Sequence, residues 1–280
     1  MPLEGSIWRE AYCIRAGNIV DWNPLHLYDF PARRRNWKQE KDRMKIAPDK
    51  CQACAKCISF CPVGAIRVRE KKVFIDSDAC VECGVCARSG VCQDGAFIKE
   101  ELPWPRILRA EFSDPMIPHK KTDIAGRGTA EMKTNDVTGR VKRGEVGVAV
   151  ELGRPGVGTR FTEVEKVSRE IARLKIPLEE ANPVSALIRD PEKGTFPPEI
   201  LPEKVLSAIV EFKIPLERLE QVMNLLKQLL PGLDTVASVS LIGCSEKDGR
   251  IPLEEFLHAN KIPFYPNGKV NIGLGRPLKP

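Results

Sequence analysis

The sequence predicts an α+β chain of two compact units: a small cysteine module, then an antiparallel-sheet domain of split βαβ order. Three observations lead there. Eight of the ten cysteines crowd between Cys51 and Cys92, in two runs that nearly repeat each other. The order strand, helix, strand occurs twice between residues 145 and 243. Between the units, residues 101–144 carry Pro103, Pro105, Pro115, Pro118 and several glycines, which break any long helix or strand. The 280 residues suit about two domains, and 42% hydrophobic residues can fill their cores.

Residues 1–45 read as an N-terminal extension. They lack the basic start and apolar run of an export signal, and no stretch of the chain approaches the roughly 18 apolar residues of a membrane span. The expectation is a cytoplasmic protein with no membrane contact. From Arg33 to Lys45 there are seven basic and two acidic residues but only one aromatic, Trp37. A nucleic-acid arm needs a broader basic surface with stacking rings. A solvated or partner-docking segment is therefore expected, and no nucleic acid. The net charge of +6 is too modest to name a partner.

Residues 46–100 hold the duplication. IAPDKCQACAKCISFCPVGAIRV aligns with FIDSDACVECGVCARSGVCQDGAFIKE, each reading strand, cysteine loop, short helix, strand. In a reducing compartment such spacing favours metal or cluster ligation over disulfides. Three cysteines at i, i+3 and i+6 can present thiolates to one small box, and a fourth must come from elsewhere. Cys51, Cys54 and Cys57 form one triple and Cys80, Cys83 and Cys86 the other, with Cys61 and Cys92 as singles. Two zinc ions are the plainer alternative, since zinc also takes four thiolates. Zinc sites, however, use two separated Cys-x-x-Cys knuckles, whereas compact triples followed by Cys-Pro suit iron-sulfur cubanes.

This stretch resembles a bacterial-type ferredoxin with two [4Fe-4S] clusters. The resemblance implies one cluster on Cys51, Cys54, Cys57 and Cys92, and another on Cys80, Cys83, Cys86 and Cys61, each fourth ligand crossing to the other site. The second motif departs from the pattern, with five residues between Cys86 and Cys92 and Gln93 in place of proline. Ala53, Ala55, Gly84 and Ala87 are small enough to let backbone amides approach cluster sulfurs.

The second unit is expected over residues 145–243. EVGVAVEL sets Val146, Val148, Val150 and Leu152 on one strand face. FTEVEKVSREIARL spaces Val164, Val167, Ile171 and Leu174 along a helical stripe, and a strand is expected with Val184, Ala186 and Ile188 on one face. After DPEKGTFPPEILP the order returns as strand VLSAIVEF, helix PLERLEQVMNLLKQLLPG and strand TVASVSLIG. Pro215 suits the helix start and Pro231-Gly232 its end. This half resembles ACT-like βαββαβ domains in topology, without a specific motif. Lys/Arg-Ile-Pro-Leu-Glu at 175, 213 and 250 reads as proline at helix starts. A last helix, LEEFLHAN, and a Pro/Gly-rich tail fill residues 244–280.

Other signals are weaker. Gly153, Gly156 and Gly158 lie between a strand and a helix, but a third fingerprint glycine and a Lys-Ser/Thr pair are missing. A turn capped by Thr162 and Glu165 is expected there, with Arg154 and Arg160 leaving room for a small anion. Residues 126–140 are polar and glycine-rich, and read equally as a linker or a ligand-contacting stretch. Cys13 and Cys244 stand alone, as small buried side chains do. His26, His119 and His258 are too scattered for a triad, and there is no Gly-x-Ser-x-Gly or His-Glu-x-x-His.

The reading that follows is an electron-transfer subunit, not catalytic alone, relaying single electrons between a donor and a partner redox enzyme. The remaining segments would dock it or pair two copies through the sheet domain. The alternative is a regulator, whose ACT-like half binds a small metabolite while the clusters report redox state.

Overall fold

The computed structural model describes residues 9–15, 44–118, 140–154, 156–264 and 269–271. In chain order these form β1 (Arg9–Arg15), β2 (Lys45–Ile46), β3 (Ile66–Arg69), β4 (Lys72–Ile75), α1 (Val85–Arg88), β5 (Phe97–Ile98) and α2 (Ile107–Glu111). There follow β6 (Glu145–Leu152), β7 (Thr159–Arg160), α3 (Phe161–Arg173), β8 (Lys204–Val205), β9 (Ala208–Pro215), α4 (Leu219–Leu229), β10 (Ala237–Cys244), α5 (Pro252–Ala259) and β11 (Lys269–Asn271).

The cysteine module has a two-fold plan. β2 pairs with β5 and β3 with β4, both antiparallel. The first cysteine loop runs from β2 through the 3-10 turn Lys56–Phe60 to β3, and the second from β4 through α1 to β5.

The second unit is a five-stranded sheet in the order β11-β1-β10-β6-β9, antiparallel at each pairing. β9 and β10 both run against β6 between them, so they are parallel to each other and α4 is the crossover of a split βαβ. Alternation decides the faces. Val146, Val148, Val150 and Leu152 of β6 join Val210 and Phe212 of β9 and Leu241 of β10 in the main core, under the stripes of α3 (Val164, Val167, Ile171) and α4 (Leu219, Val222, Met223, Leu226). Ala149, Ile209, Ile242 and Cys244 form a smaller cluster with Val141 on the opposite face.

Three expectations change. The strand sought at 184–188 is absent, and Ser185–Leu187 is a single 3-10 turn. Asn182 is the cause: its Oδ1 accepts the Val184 N–H at 2.7 Å, bending the chain locally, and Pro183 has no N–H to give a ladder. The slot beside β9 holds only a bridge from Leu178 to Phe212, with the Glu179 N–H donating to the Glu211 carbonyl at 2.7 Å. That bridge also removes Pro177 from a helix start, whereas Pro252 opens α5 and Pro215 precedes the turn into α4. Growth of the sheet occurs on its other side, where part of the supposed extension supplies β1, in register from Arg9 opposite Cys244 to Arg15 opposite Ser238.

The third change concerns the connector. α2 arises inside the proline-rich stretch because Leu108 and Phe112, four apart, bury one side of a turn in the main core. Phe112 meets Phe161 edge-on at 5.4 Å, and Phe161 meets Phe196 at 5.7 Å. Each ring buried there contributes about 1.5–3 kcal/mol. α2 thus fastens the cysteine module to the sheet domain. The polar stretch 126–140 lies outside the described residues except for Arg140.

Candidate metal centre

Both cysteine loops use the same backbone device. Ala53 and Ala55 (φ 54° and 60°) flank Cys54, and Glu82 and Gly84 (φ 54° and 68°) flank Cys83, so each middle cysteine sits between two left-handed residues. This tight winding holds three thiols on one loop. The single cysteines match as well. The Ala65 N–H donates to Cys61 Sγ at 3.1 Å and the Ala96 N–H to Cys92 Sγ at 3.3 Å, each from four residues on. Gly64 and Gly95 close the two turns in left-handed conformation (φ 61° and 60°). Gln93 therefore replaces proline without changing the turn. The two additional residues before Cys92 are absorbed upstream, where α1 and a left-handed Gly90 stand in place of the first loop's 3-10 turn.

Cys61, Cys80, Cys83 and Cys86 line one small cavity, together with apolar Met44, Val63, Ala65, Ile66, Ile75 and Val81. Burial pushes the Cys80 thiol up to about 12, helped by the Glu82 carboxylate, and the Cys86 thiol up to about 11, helped by Cys83 and Cys61. Cys83 is raised too, by burial first, opposed by the Val85 N–H and reinforced by Cys61. In the other loop Cys57 is raised by burial, opposed by a backbone N–H, and further raised by Cys54, Cys51 and Cys92. The structure thus brings each triple together with the single cysteine from the other loop. The two groups differ in exposure, for Cys54 is exposed and Cys83 buried.

This donor set fits iron-sulfur clusters. All eight thiols are free of disulfides, and thiols release their protons when they bind metal as thiolates. Zinc at about 2.3 Å from four sulfurs would hold them within about 3.8 Å of one another. Among the described residues, however, no three His, Cys, Asp or Glu side chains converge tightly enough to grip one ion. Cys61, Cys80, Cys83 and Cys86 instead line a space between them, as a multi-atom cluster requires.

A layer of charge surrounds the second loop, and sequence reasoning missed most of it. Glu82, 4% exposed, accepts the Met44 N–H at 3.1 Å and the Arg106 Nε–H at 3.0 Å. Arg109 donates from one nitrogen to the carbonyls of Ser77 (3.0 Å), Asp78 (3.1 Å) and Cys80 (2.6 Å), and its Nε pairs with Glu203. Arg88 donates to the Cys83 carbonyl at 2.7 Å and to the fully buried Asp114 at 2.8 Å. Lys204 lies close by, and burial, then Arg160, lowers its pKa.

The remaining candidates resolve as structure. The glycine turn packs against the first motif, where a Cβ on Gly156 would come within 3.2 Å of the Pro62 carbonyl. No side chain caps α3. Its Phe161 and Thr162 N–H groups are taken by the Glu203 and Leu201 carbonyls, and Glu165 instead accepts the Phe196 N–H at 2.8 Å. Arg160 pairs with Asp78, and Arg154 with Glu151, so the anion reading loses its donors. Cys244 is buried and donates to the Val141 carbonyl at 3.1 Å. His258 is exposed, against Phe264, whereas His26, His119 and the Cys13 side chain lie outside the described residues. Among the described residues no helix is long and apolar enough to cross a membrane.

Fold and site define a class, the iron-sulfur electron carriers with two clusters in one module. Residues 43–93 match the family described as 4Fe-4S dicluster domain, and this part of the chain is a dicluster ferredoxin domain with two [4Fe-4S] clusters as its cofactors. The chain is 39% identical over 71 residues to an uncharacterised ferredoxin of Methanocaldococcus jannaschii, covering 25% of this chain and 41% of that one. It is 40% identical over 52 residues to a subunit of the ion-translocating oxidoreductase complex of Methanosarcina acetivorans (19% and 20%). It is 51% identical over 39 residues to the pyruvate synthase subunit PorD of Methanothermobacter marburgensis (14% and 44%). The chain therefore spans less than half the length of each of these relatives, two of which are subunits of redox enzymes. No family match identifies the sheet domain, and no solved structure matches the chain significantly.

Proposed function

We propose that the chain is an electron-transfer subunit of a larger redox enzyme. One [4Fe-4S] cluster is held by Cys51, Cys54, Cys57 and Cys92, and the other by Cys80, Cys83, Cys86 and Cys61. The observation that supports this reading is that Cys61 lines the cavity of the second triple while Cys92 lies close enough to Cys57 to act on it. Each bound cluster supplies a one-electron acceptor; the protein's task is to hold it, exclude water and set its potential. Apolar Val81, Ile66 and Met44 keep solvent from the second group, and the Ala65 and Ala96 amides donate to ligand sulfurs.

With all eight thiols committed, neither site leaves a position for substrate, so the chemistry belongs to a partner. The exposed loop around Cys54, with Gln52, Ala53 and Phe60 at the surface, is the face this reading gives to that partner. The relatives named as redox-enzyme subunits support the same arrangement. The test is iron and sulfide analysis of anaerobically purified protein with Cys61→Ser and Cys92→Ser variants. Eight irons are expected, with Cys61→Ser disturbing the cluster of the second loop and Cys92→Ser that of the first. Zinc in place of iron, or each variant disturbing the cluster of its own loop, would overturn the assignment.

A further inference from the structure

Four cations converge on the segment that leads into Cys80. Arg106 precedes α2 and Arg109 lies in it, and Arg160 and Lys204 come from the sheet domain. They face Asp76, Asp78, Glu82 and Glu203. Within this group Arg109 is distinguished by depth and by the number of bonds it makes. Its side chain is 5% exposed, and the same guanidinium that takes three carbonyls of residues 77–80 is bonded to Glu203 just before β8. An arginine this deep is retained only where its donors are used, and these are used on the loop carrying the first ligand of the second site.

Two consequences follow from the geometry. The Cys80 carbonyl is turned toward Arg109, so in a trans peptide the Val81 N–H points the opposite way, and Val81 lines the cavity. The Arg109 charge, partly offset by Glu203, is also held at the Cys80 carbonyl in a region with little water to screen it, where Glu82 and Arg106 act on Cys80 as well. Reduction of a cluster adds one electron and one negative charge, with no bond made or broken. A buried cation beside it favours that reduced state.

We propose that Arg109 is the positioning residue that raises the reduction potential of the cluster at Cys61, Cys80, Cys83 and Cys86, and that Glu203 of the sheet domain tempers it. The sheet domain thereby sets the potential of a site to which it gives no ligand. This rests on the ligand assignment proposed above.

The test is an EPR-monitored redox titration of the full chain, with the relevant step identified as the one that Cys83→Ser moves or abolishes. In Arg109→Gln the reduced-to-oxidised ratio of that step, at fixed solution potential, falls about tenfold, equivalent to about 59 mV for one electron. Arg109→Lys keeps the charge and stays within about threefold of the parent. Glu203→Gln keeps an acceptor oxygen but removes the opposing charge, and moves the same step upward. The other step is unmoved in all three. Should Arg109→Gln fail to hold its cluster, the direction of Glu203→Gln decides. A step unmoved by Glu203→Gln, or moved downward, or two steps moving together, overturns the inference. A parent protein with fewer than two clusters refutes the ligand assignment instead, so the two failures are distinct.

Discussion

The Arg160 guanidinium reaches the Asp78 carboxylate at 2.8 Å across 82 positions of sequence, tying the start of α3 to the second cysteine loop. Both side chains are partly exposed, at 33% and 43%. Water competes for such a pair, so its worth is about 0–1 kcal/mol. Asp78→Asn is expected to lower stability by no more than that in urea unfolding, with iron content unchanged. A loss above about 2 kcal/mol would show that this contact, and not the buried core beneath it, joins the two units.

The Glu82 pair is expected to behave differently. Glu82 is 3% exposed at its side chain, and its removal leaves the Met44 N–H and the Arg106 Nε–H without their acceptor, with only the Ser77 carbonyl remaining to Arg106. Breaking a buried pair from one side costs about 3–5 kcal/mol. Glu82→Ala is expected to lose that much in denaturant melts and to release iron from the second site first on dilution. Retention of parental stability would mean that water reaches the pair.

Gly153 has φ 94°, and a Cβ there would meet the Leu206 carbonyl oxygen at 2.8 Å and Gly158 backbone at 2.9 Å. The backbone conformation alone costs a side-chain-bearing residue about 1–3 kcal/mol. Backbone atoms on both sides also cannot rotate away. Gly153→Ala is expected to destabilise the turn that packs on Pro62, visible as faster amide exchange at residues 156–160. Parental exchange rates there would refute the clash.

Phe161 is fully buried between Phe112 of the α2 segment and Phe196 of the sheet domain. Phe161→Ala is expected to cost about 3–5 kcal/mol. Calorimetry provides the sharper check, since the parent should unfold in one transition and the variant in two. A single transition at reduced temperature would place the joint elsewhere.

The cysteine module was legible because its spacing encodes its geometry: each triple winds in one loop, and small Ala53, Ala55 and Gly84 stand where the backbone turns left-handed, whereas Glu82, which does the same, gave no such signal. β6, α3, β9, α4 and β10 were legible for a similar reason, since their valines and leucines recur with the periods of strand and helix. The strand sought at 184–188 shows where alternation misleads. Val184, Ala186 and Ile188 alternate, but Asn182 and Pro183 satisfy and remove the backbone groups that a ladder needs. α2 was hidden for the opposite reason, because the prolines of PWPRILRAEFSDP outweighed Leu108 and Phe112 four residues apart. Arg106 and Arg109 lie on the other side of that turn, three apart, and this spacing was the one available hint that they act together.

The seating of β1 between β10 and β11 has a temporal consequence. Residues 9–15 leave the ribosome early, but the strands flanking them are encoded at 237–244 and 269–271. During synthesis the ferredoxin loops emerge while the sheet is still open at that edge, so cofactor insertion can precede closure. Residues 9–15 therefore complete their pairing only after residues 237–244 and 269–271 have been made.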